Sequence, residues 1–342
     1  MTGFHHEALL YADQDAFLAG TVPFLEEGLR GGERMLVALG ADRIAALMAA
    51  LDRGTDCVRF ADMTDVGANP ARIIPVWRDF VAGREDDAPA RGIGEPIWAG
   101  RSAAELVECQ RHEALLNLAF ATTPDFRLLC PYDTAALPAA VIAEARRSHP
   151  HVTVGHDRAR SAAYPGLPAI TEPFASPLPA PPETAERYGF DAHGLPCLRE
   201  VVAAHATLAG LTPQRARDLA FAVNEVTTNS VRHAGGHGVL RLWTEDRFVV
   251  CDVRDAGRID EPLAGRVRPS PERGGGWGLW LANQLCELVR CVASRTAAPC
   301  ACAWNGPSRG TSATPGGRSG AARSTREGSR VRTGCPPRRP RV

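Results

Sequence analysis

Lysine is missing from the 342 residues altogether: all 39 basic side chains are Arg, and they balance 39 acidic ones. With no net charge there is no global field to draw nucleic acid or an anionic membrane toward the chain. Without lysine, no GxxxxGK phosphate loop can exist. Apolar runs of about 18 residues or more are also absent. The start, MTGFHHEALLYADQD, has neither a basic leader nor a long apolar stretch, so the expectation is a cytoplasmic chain with no membrane-spanning helix. Ten cysteines are present but form no CxxC pair; Cys300 and Cys302 give only a CxC. In a chain of this size most of them read as buried small hydrophobes rather than disulfides or zinc ligands.

What is plentiful is Ala, Gly, Pro and Arg, the composition of a GC-rich coding sequence. The length suits two domains, each able to bury a core. Prolines crowd YPGLPAITEPFASPLPAPPE, residues 164–183, too densely for a helix or a central strand. From Ala297 to Val342 nine Arg face one acidic residue, Glu327, with almost no large apolar side chains, so that stretch cannot form a core. The chain therefore divides into a domain over 1–160, a Pro-rich linker over 161–186, a second domain over 187–296 and a tail over 297–342.

In the first domain, segments of helical period (DAFLAGTVPFLEEGLRGG, IAALMAALDRG, SAAELVECQRHEALLNLAF) alternate with short apolar runs (RMLVALG, CVRFAD, FRLLCPYD). Such alternation predicts an α/β layer with a mainly parallel sheet. The second domain opens with LPCLREVVAAHATLAGL, an amphipathic helix. A long helix follows, with Thr212 as N-cap and Pro213 at its first position. GVLRLWTE and RFVVCDVRDAG alternate like antiparallel strands covered on one face, and GLWLANQLCELVRCV reads as a last helix.

On the long helix, in NEVTTNSVRHA, Glu225 and Asn229 stand four residues apart and so share a face. Asp255 and Gly257 end an apolar strand in RDAG. GGGWGL places Gly274, Gly275, Gly276 and Gly278 before a helix, where backbone N–H groups can approach an anion.

In this order and spacing the three motifs resemble those of the GHKL, or Bergerat-fold, ATPases: an N box, a first glycine box and a second. The resemblance covers about residues 187–296 and implies an α+β ATP-binding sandwich with ATP and Mg²⁺ as cofactors. It implies that Asn229 ligates Mg²⁺ through its amide oxygen and that Glu225 acts as general base or orients the nucleophile. It also implies that Asp255 reads the adenine amino group beside Gly257, and that Gly276 and Gly278 belong to a lid over the phosphates. Two departures stand out. Ile259 occupies the place of a second glycine, and the Thr-rich closing strand of the family is not visible after ELVRCVASRT. A shifted reading frame, or a disordered extension, is then expected beyond Thr296.

A Pro-rich linker stands where sensor histidine kinases carry their phospho-acceptor hairpin. The compact form instead resembles the anti-sigma factor serine/threonine kinases, in particular their actinobacterial members. This implies a sigma factor and an anti-anti-sigma (STAS-like) protein as partners and phosphoryl transfer to a Ser or Thr; from the balanced charge and the lack of long apolar runs, no direct contact with nucleic acid or membrane is expected. A non-catalytic ATP-binding or sigma-sequestering module, an ATP hydrolase without a protein substrate and a homodimeric state stay open. Residues 4–160, through FHHEALLYADQDAFL, GEPIW and LLCPYD, resemble the MEDS sensory domain, RecA-like in fold. That likeness implies a small organic ligand, with His6, Glu95, Trp98, Tyr132 and Asp133 as its candidate site.

Overall fold

The computed structural model describes residues 3–305 apart from 52, 85–87, 171–173, 175–176, 246–247, 271–274 and 293–299, with backbone alone for 300–305. The expected tail lies outside the described residues from 306 onward. Contacts divide the chain into two units, residues 1–176 with 260–284, and residues 177–259 with 285–342. No helix among the described residues is long and apolar enough to cross a membrane.

The first unit runs β1 (Phe4–Tyr11), α1 (Gln14–Arg30), β2 (Arg34–Leu39), α2 (Ala41–Ala50), β3 (Val58–Asp62), α3 (Met63–Val66) and α4 (Ile73–Ala82). It continues with β4 (Ala90–Gly94), α5 (Ala103–Ala119), β5 (Phe126–Asp133), α6 (Ala139–Ser148), β6 (His151–Val154) and β7 (Asp157–Arg160). Its sheet has the order β3-β2-β4-β5-β1-β6-β7, parallel except for β7, which returns antiparallel to β6. The expected mainly parallel α/β layer is the observed one.

Strand pleating sends alternate residues to opposite faces. One face carries Ala8, Leu10, Leu36, Ala38, Leu128, Cys130 and Tyr132 beneath apolar residues of α4, α5 and α6. The other carries Leu9, Tyr11, Met35, Val37, Ile93 and Leu129 beneath α1 and α2. On the first face Trp77 packs near Phe80 and Phe126. Gly92 makes room for it: a Cβ there would meet the indole at 2.6 Å. Burying a ring of this size contributes roughly 2–3 kcal/mol.

On the second face the Arg91 guanidinium is buried under α1, where it donates to both oxygens of Glu33, to Glu27 and to the Phe24 carbonyl. A guanidinium can be taken out of water at such a site because two carboxylates and a carbonyl accept four of its hydrogen bonds.

The Pro-rich stretch is divided by the unit boundary at Ser176. Its earlier half is held in the first unit, where Arg147 donates to the carbonyls of Ala169 and Ile170, and Ile170 is fully buried. Segment 260–284 is counted with the first unit as well; in it Arg266 pairs with Glu108 and Asn283 donates to the Gly265 carbonyl.

The second unit contains β8 (Glu186–Asp191), α7 (Leu195–Leu208), α8 (Pro213–His233), β9 (His237–Glu245), β10 (Phe248–Arg254), β11 (Leu288–Cys291) and β12 (Cys300–Asn305). The intervening α9 spans Trp277–Leu285. Thr212 caps α8, its hydroxyl accepting from Arg215 N, with Pro213 at the first turn as expected. The antiparallel sheet has the order β11-β12-β10-β9-β8. This is the α+β architecture expected of the second domain.

Two expectations fail here. The last helix ends at Leu285, and LVRC, read as its continuation, is the strand β11. The sheet also does not lack a closing strand, because Cys300–Asn305 pairs antiparallel with both β10 and β11. In each case cross-strand neighbours override weak local preference. Most cysteines with described side chains are thiols as expected, but Cys197 and Cys291 are each disulfide-bonded. Cys109, Cys130, Cys251 and Cys286 are buried thiols, and Cys57 is an exposed one.

Candidate functional site

Helix α8 buries one stripe, with Ala216, Leu219, Ala220, Val223, Val226, Thr227 and Ser230 inward. The polar members of that stripe satisfy themselves on the helix: Thr227 donates to the Val223 and Asn224 carbonyls, and Ser230 to Val226. Glu225 and Asn229 lie off the stripe, half-buried. Among the described residues neither side chain makes a hydrogen bond or an ion pair. Four residues of helix separate them, about 6 Å along the axis, so one small ligand can meet both.

The turn after β10 lies against the C-terminal end of this helix. Asp255 Oδ1 accepts the Gly257 amide at 2.8 Å, closing the turn. A Cβ on Gly257 would stand 2.6 Å from the Ala234 methyl. The glycine is thus demanded by packing, whatever it leaves open for a ring. Ala234 caps α8, so the turn lies near the helix end and about 7.5 Å of axis from Asn229. Just upstream, buried Asp252 is held by Arg254 and cross-strand Arg241. That pair of cations leaves Asp252 no capacity for a further partner and marks it as sheet structure.

In the first unit a second polar group sits at the C-terminal ends of adjacent parallel strands, where open α/β sheets place their ligands. Tyr11 ends β1, Asp133 ends β5, and Glu95 follows β4. The Tyr11 hydroxyl donates to Glu95 Oε1 at 2.6 Å, Arg43 reaches Asp133 at 3.3 Å, and the Arg43 guanidinium lies over the Tyr11 ring at 5.0 Å. Burial pushes the Glu95 carboxyl up to about 7, against the lowering influence of Tyr11 and Arg43. Near neutrality it can therefore give or take a proton in a site lined by a phenol and a guanidinium.

Residues 5–150 match the model of the methanogen/methylotroph, DcmR sensory domain, MEDS, and residues 191–298 match that of the histidine kinase-like ATPase domain. The chain carries both domains. No curated protein matches it. Together the two domains describe an ATP-binding regulatory module with a sensory domain. The MEDS stretch holds the Glu95 group, and the ATPase stretch holds Glu225, Asn229, Asp255 and Gly257.

The five candidate residues of the MEDS domain do not form one set. Glu95 and Asp133 share a face with Tyr11 and Arg43, while His6 and Tyr132 stand on the opposite face of the sheet. There His6 faces Glu113 and His149, and Tyr132 meets the His149 ring edge-on at 5.6 Å. Trp98 is taken up otherwise, lying on the Arg101 guanidinium at 3.7 Å, which in turn donates to the Pro96 and Gly67 carbonyls. Tyr11, Arg43, Glu113 and His149 escaped sequence reading because strand register for Tyr11, and the packing of α2, α5 and α6 on the sheet for the other three, makes them neighbours of the motif residues.

In the ATPase stretch, Gly276 takes φ +84 just before α9, and Gly278 is buried in the first turn of that helix. Gly274 lies outside the described residues. Arg232 and His233 are exposed at the end of α8.

Proposed function

We propose that the chain is a signal-gated anti-sigma regulator that binds Mg-ATP and phosphorylates a Ser or Thr of an anti-anti-sigma partner. The observation that supports it best is the pair Glu225 and Asn229. Both are half-exposed and without a partner among the described residues, on one face of the helix whose end carries the Asp255–Gly257 turn. A carboxylate and an amide oxygen are hard donors of the kind Mg²⁺ prefers, so the side chains present fit the cation.

In this reading Asn229 holds the ion and Glu225 orients the attacking hydroxyl and receives its proton. Asp255, whose Oδ1 is engaged by the turn, reads the adenine amino group through its other oxygen. Bound Mg²⁺ supplies charge neutralisation across the phosphates, and the protein contributes position rather than covalent chemistry. Gly276 and Gly278 are given the lid by resemblance alone. The MEDS domain supplies the signal by binding a small organic compound at the Glu95, Tyr11, Arg43 and Asp133 group. A sigma factor is the second partner.

Incubating the full chain with γ-labelled ATP, Mg²⁺ and candidate anti-anti-sigma proteins tests the proposal. Transfer of label to the partner supports it. Binding without transfer leaves a sequestering module, and release of phosphate without labelled partner leaves a hydrolase.

A further inference from the structure

We propose that His6, Glu113, Cys130 and His149 form a buried tetrahedral site for one divalent transition-metal ion of the zinc type inside the MEDS domain. The four come from four elements on one side of the sheet: His6 from β1, Cys130 from neighbouring β5, Glu113 from α5, and His149 from the C-cap of α6. Their ligand atoms all lie within 4.8 Å of one another, and every one of the four residues is buried. His6 Nε2 stands 3.1 Å from Glu113 Oε2 and 3.4 Å from Cys130 Sγ, and His149 Nε2 stands 3.2 Å from the same Glu113 oxygen. Ligands at about 2.0–2.3 Å around a tetrahedral ion are separated by roughly 3.3–3.6 Å, close to these three contacts.

The arrangement of protons points the same way. Asn117 donates its amide nitrogen to three carbonyls, those of Glu113, Ala114 and Ser148, so its oxygen is the atom turned toward His6 Nδ1 at 3.2 Å. His6 Nδ1 must then carry hydrogen. His149 Nδ1 faces the Ala145 carbonyl at 2.8 Å and must carry hydrogen too. In neutral imidazoles both Nε2 atoms are left as bare lone pairs; the Cys130 thiol can reach only the one on His6, and the Glu113 carboxylate beside both is itself only an acceptor. Glu113 Oε1 and His149 Nε2 have no hydrogen-bond partner although both are buried. A single proton on one imidazole would satisfy one nitrogen and leave the other facing the carboxylate. A cation at the common centre satisfies both nitrogens, the carboxylate and the thiolate together.

The tie from each Nδ1–H to an oxygen is the outer contact by which metal-bound histidines are oriented. Donor chemistry selects the ion: one sulfur, two imidazoles and one carboxylate suit Zn²⁺ or Co²⁺ and not Mg²⁺ or Ca²⁺. With every ligand buried and no open edge, the site is of the structural kind, filled as the domain folds.

The test uses the full chain produced in medium supplied with Zn²⁺ or with Co²⁺, freed of loose metal by gel filtration. Expected are one ion per chain and, in the cobalt form, a thiolate-to-cobalt charge-transfer band with the visible bands of a tetrahedral site. Cys130→Ser should abolish the charge-transfer band, while Cys109→Ser, a buried thiol outside the cluster, should keep it. X-ray absorption on the wild-type zinc form needs no variant to fold and should show one sulfur at about 2.3 Å and lighter ligands at about 2.0–2.1 Å. A folded chain that carries no ion after growth in either metal would overturn the proposal. So would a charge-transfer band that survives Cys130→Ser, or a zinc shell without sulfur.

Discussion

The Tyr11 hydroxyl donates to Glu95 Oε1 at 2.6 Å, joining the end of β1 to the residue after β4 across the intervening strand β5. Burial disfavours the charged carboxylate by more than the Tyr11 hydrogen bond and Arg43 favour it, and this makes the first unit sensitive to pH. The folded pKa of about 7 lies above the ordinary 4.5, so the stability this group contributes is complete below about 4.5 and is lost as pH rises to about 7. A tenfold change in proton affinity is worth about 1.4 kcal/mol, which caps the loss at about 3 kcal/mol. Glu95→Gln cannot ionise, so its stability relative to wild type should rise across that window and level off above it. Urea unfolding at a series of pH values reads this directly, and a constant difference would refute it.

Glu225 and Asn229 carry different tasks in the proposed chemistry. Asn229→Ala should abolish Mg-ATP binding, whereas Glu225→Ala should retain binding and lose at least about 100-fold in phosphoryl transfer, the ordinary worth of a general base. Calorimetry with ATP and a label-transfer assay separate the two. Equal loss of nucleotide affinity in both variants would break the assignment.

Gly257 is held by contact with Ala234 and not by its backbone angles. Gly257→Ala should therefore cost about 1–3 kcal/mol through overpacking. Pairing it with Ala234→Gly removes the opposing methyl and should return much of that loss, less about 1 kcal/mol for a glycine at the helix end. Thermal unfolding of the single and double variants gives the coupling; additive losses would show that the two residues do not press on each other.

Arg91 offers a comparison between two carboxylates serving one buried cation. Glu33 meets it with both oxygens and is largely buried, whereas Glu27 is half exposed. Glu33→Ala should destabilise the chain by about 3 kcal/mol, since it strands a buried charge. Glu27→Ala should cost no more than about 1 kcal/mol, because water can replace it. Denaturant midpoints of the two variants decide, and similar losses would count against this account.

Much of the architecture could be read from period alone. Helices α1, α5 and α8 and strands β2, β5 and β10 announce themselves because each buries one continuous stripe or run. Strand β8, ERYGFD, is too polar to read and is made a strand by pairing with β9. Likewise β11 hides in an apolar run continuous with α9, and β12 is a Cys-Ala alternation with none of the β-branched residues expected of a closing strand. The α8 pair was legible since four residues along a helix fixes a shared face. The MEDS candidates were not, because whether His6 and Glu95 share a face depends on pleat parity in two strands separated by more than eighty residues.

The position of β12 has a consequence for the order of events on the ribosome. Residues 300–305 occupy the interior of their sheet, between β10 and β11, although they are its last strand to be made. Until they emerge, β10 has only β9 beside it and β11 has no strand to pair with, so the nascent sheet exposes a row of unclaimed amides and carbonyls next to Val249 and Val253. At roughly 5–20 residues per second the interval from Cys291 to Asn305 lasts about one to three seconds. A message cut short before Cys300 makes that interval permanent, and its product carries a bare β10 edge ready to recruit strands from other chains.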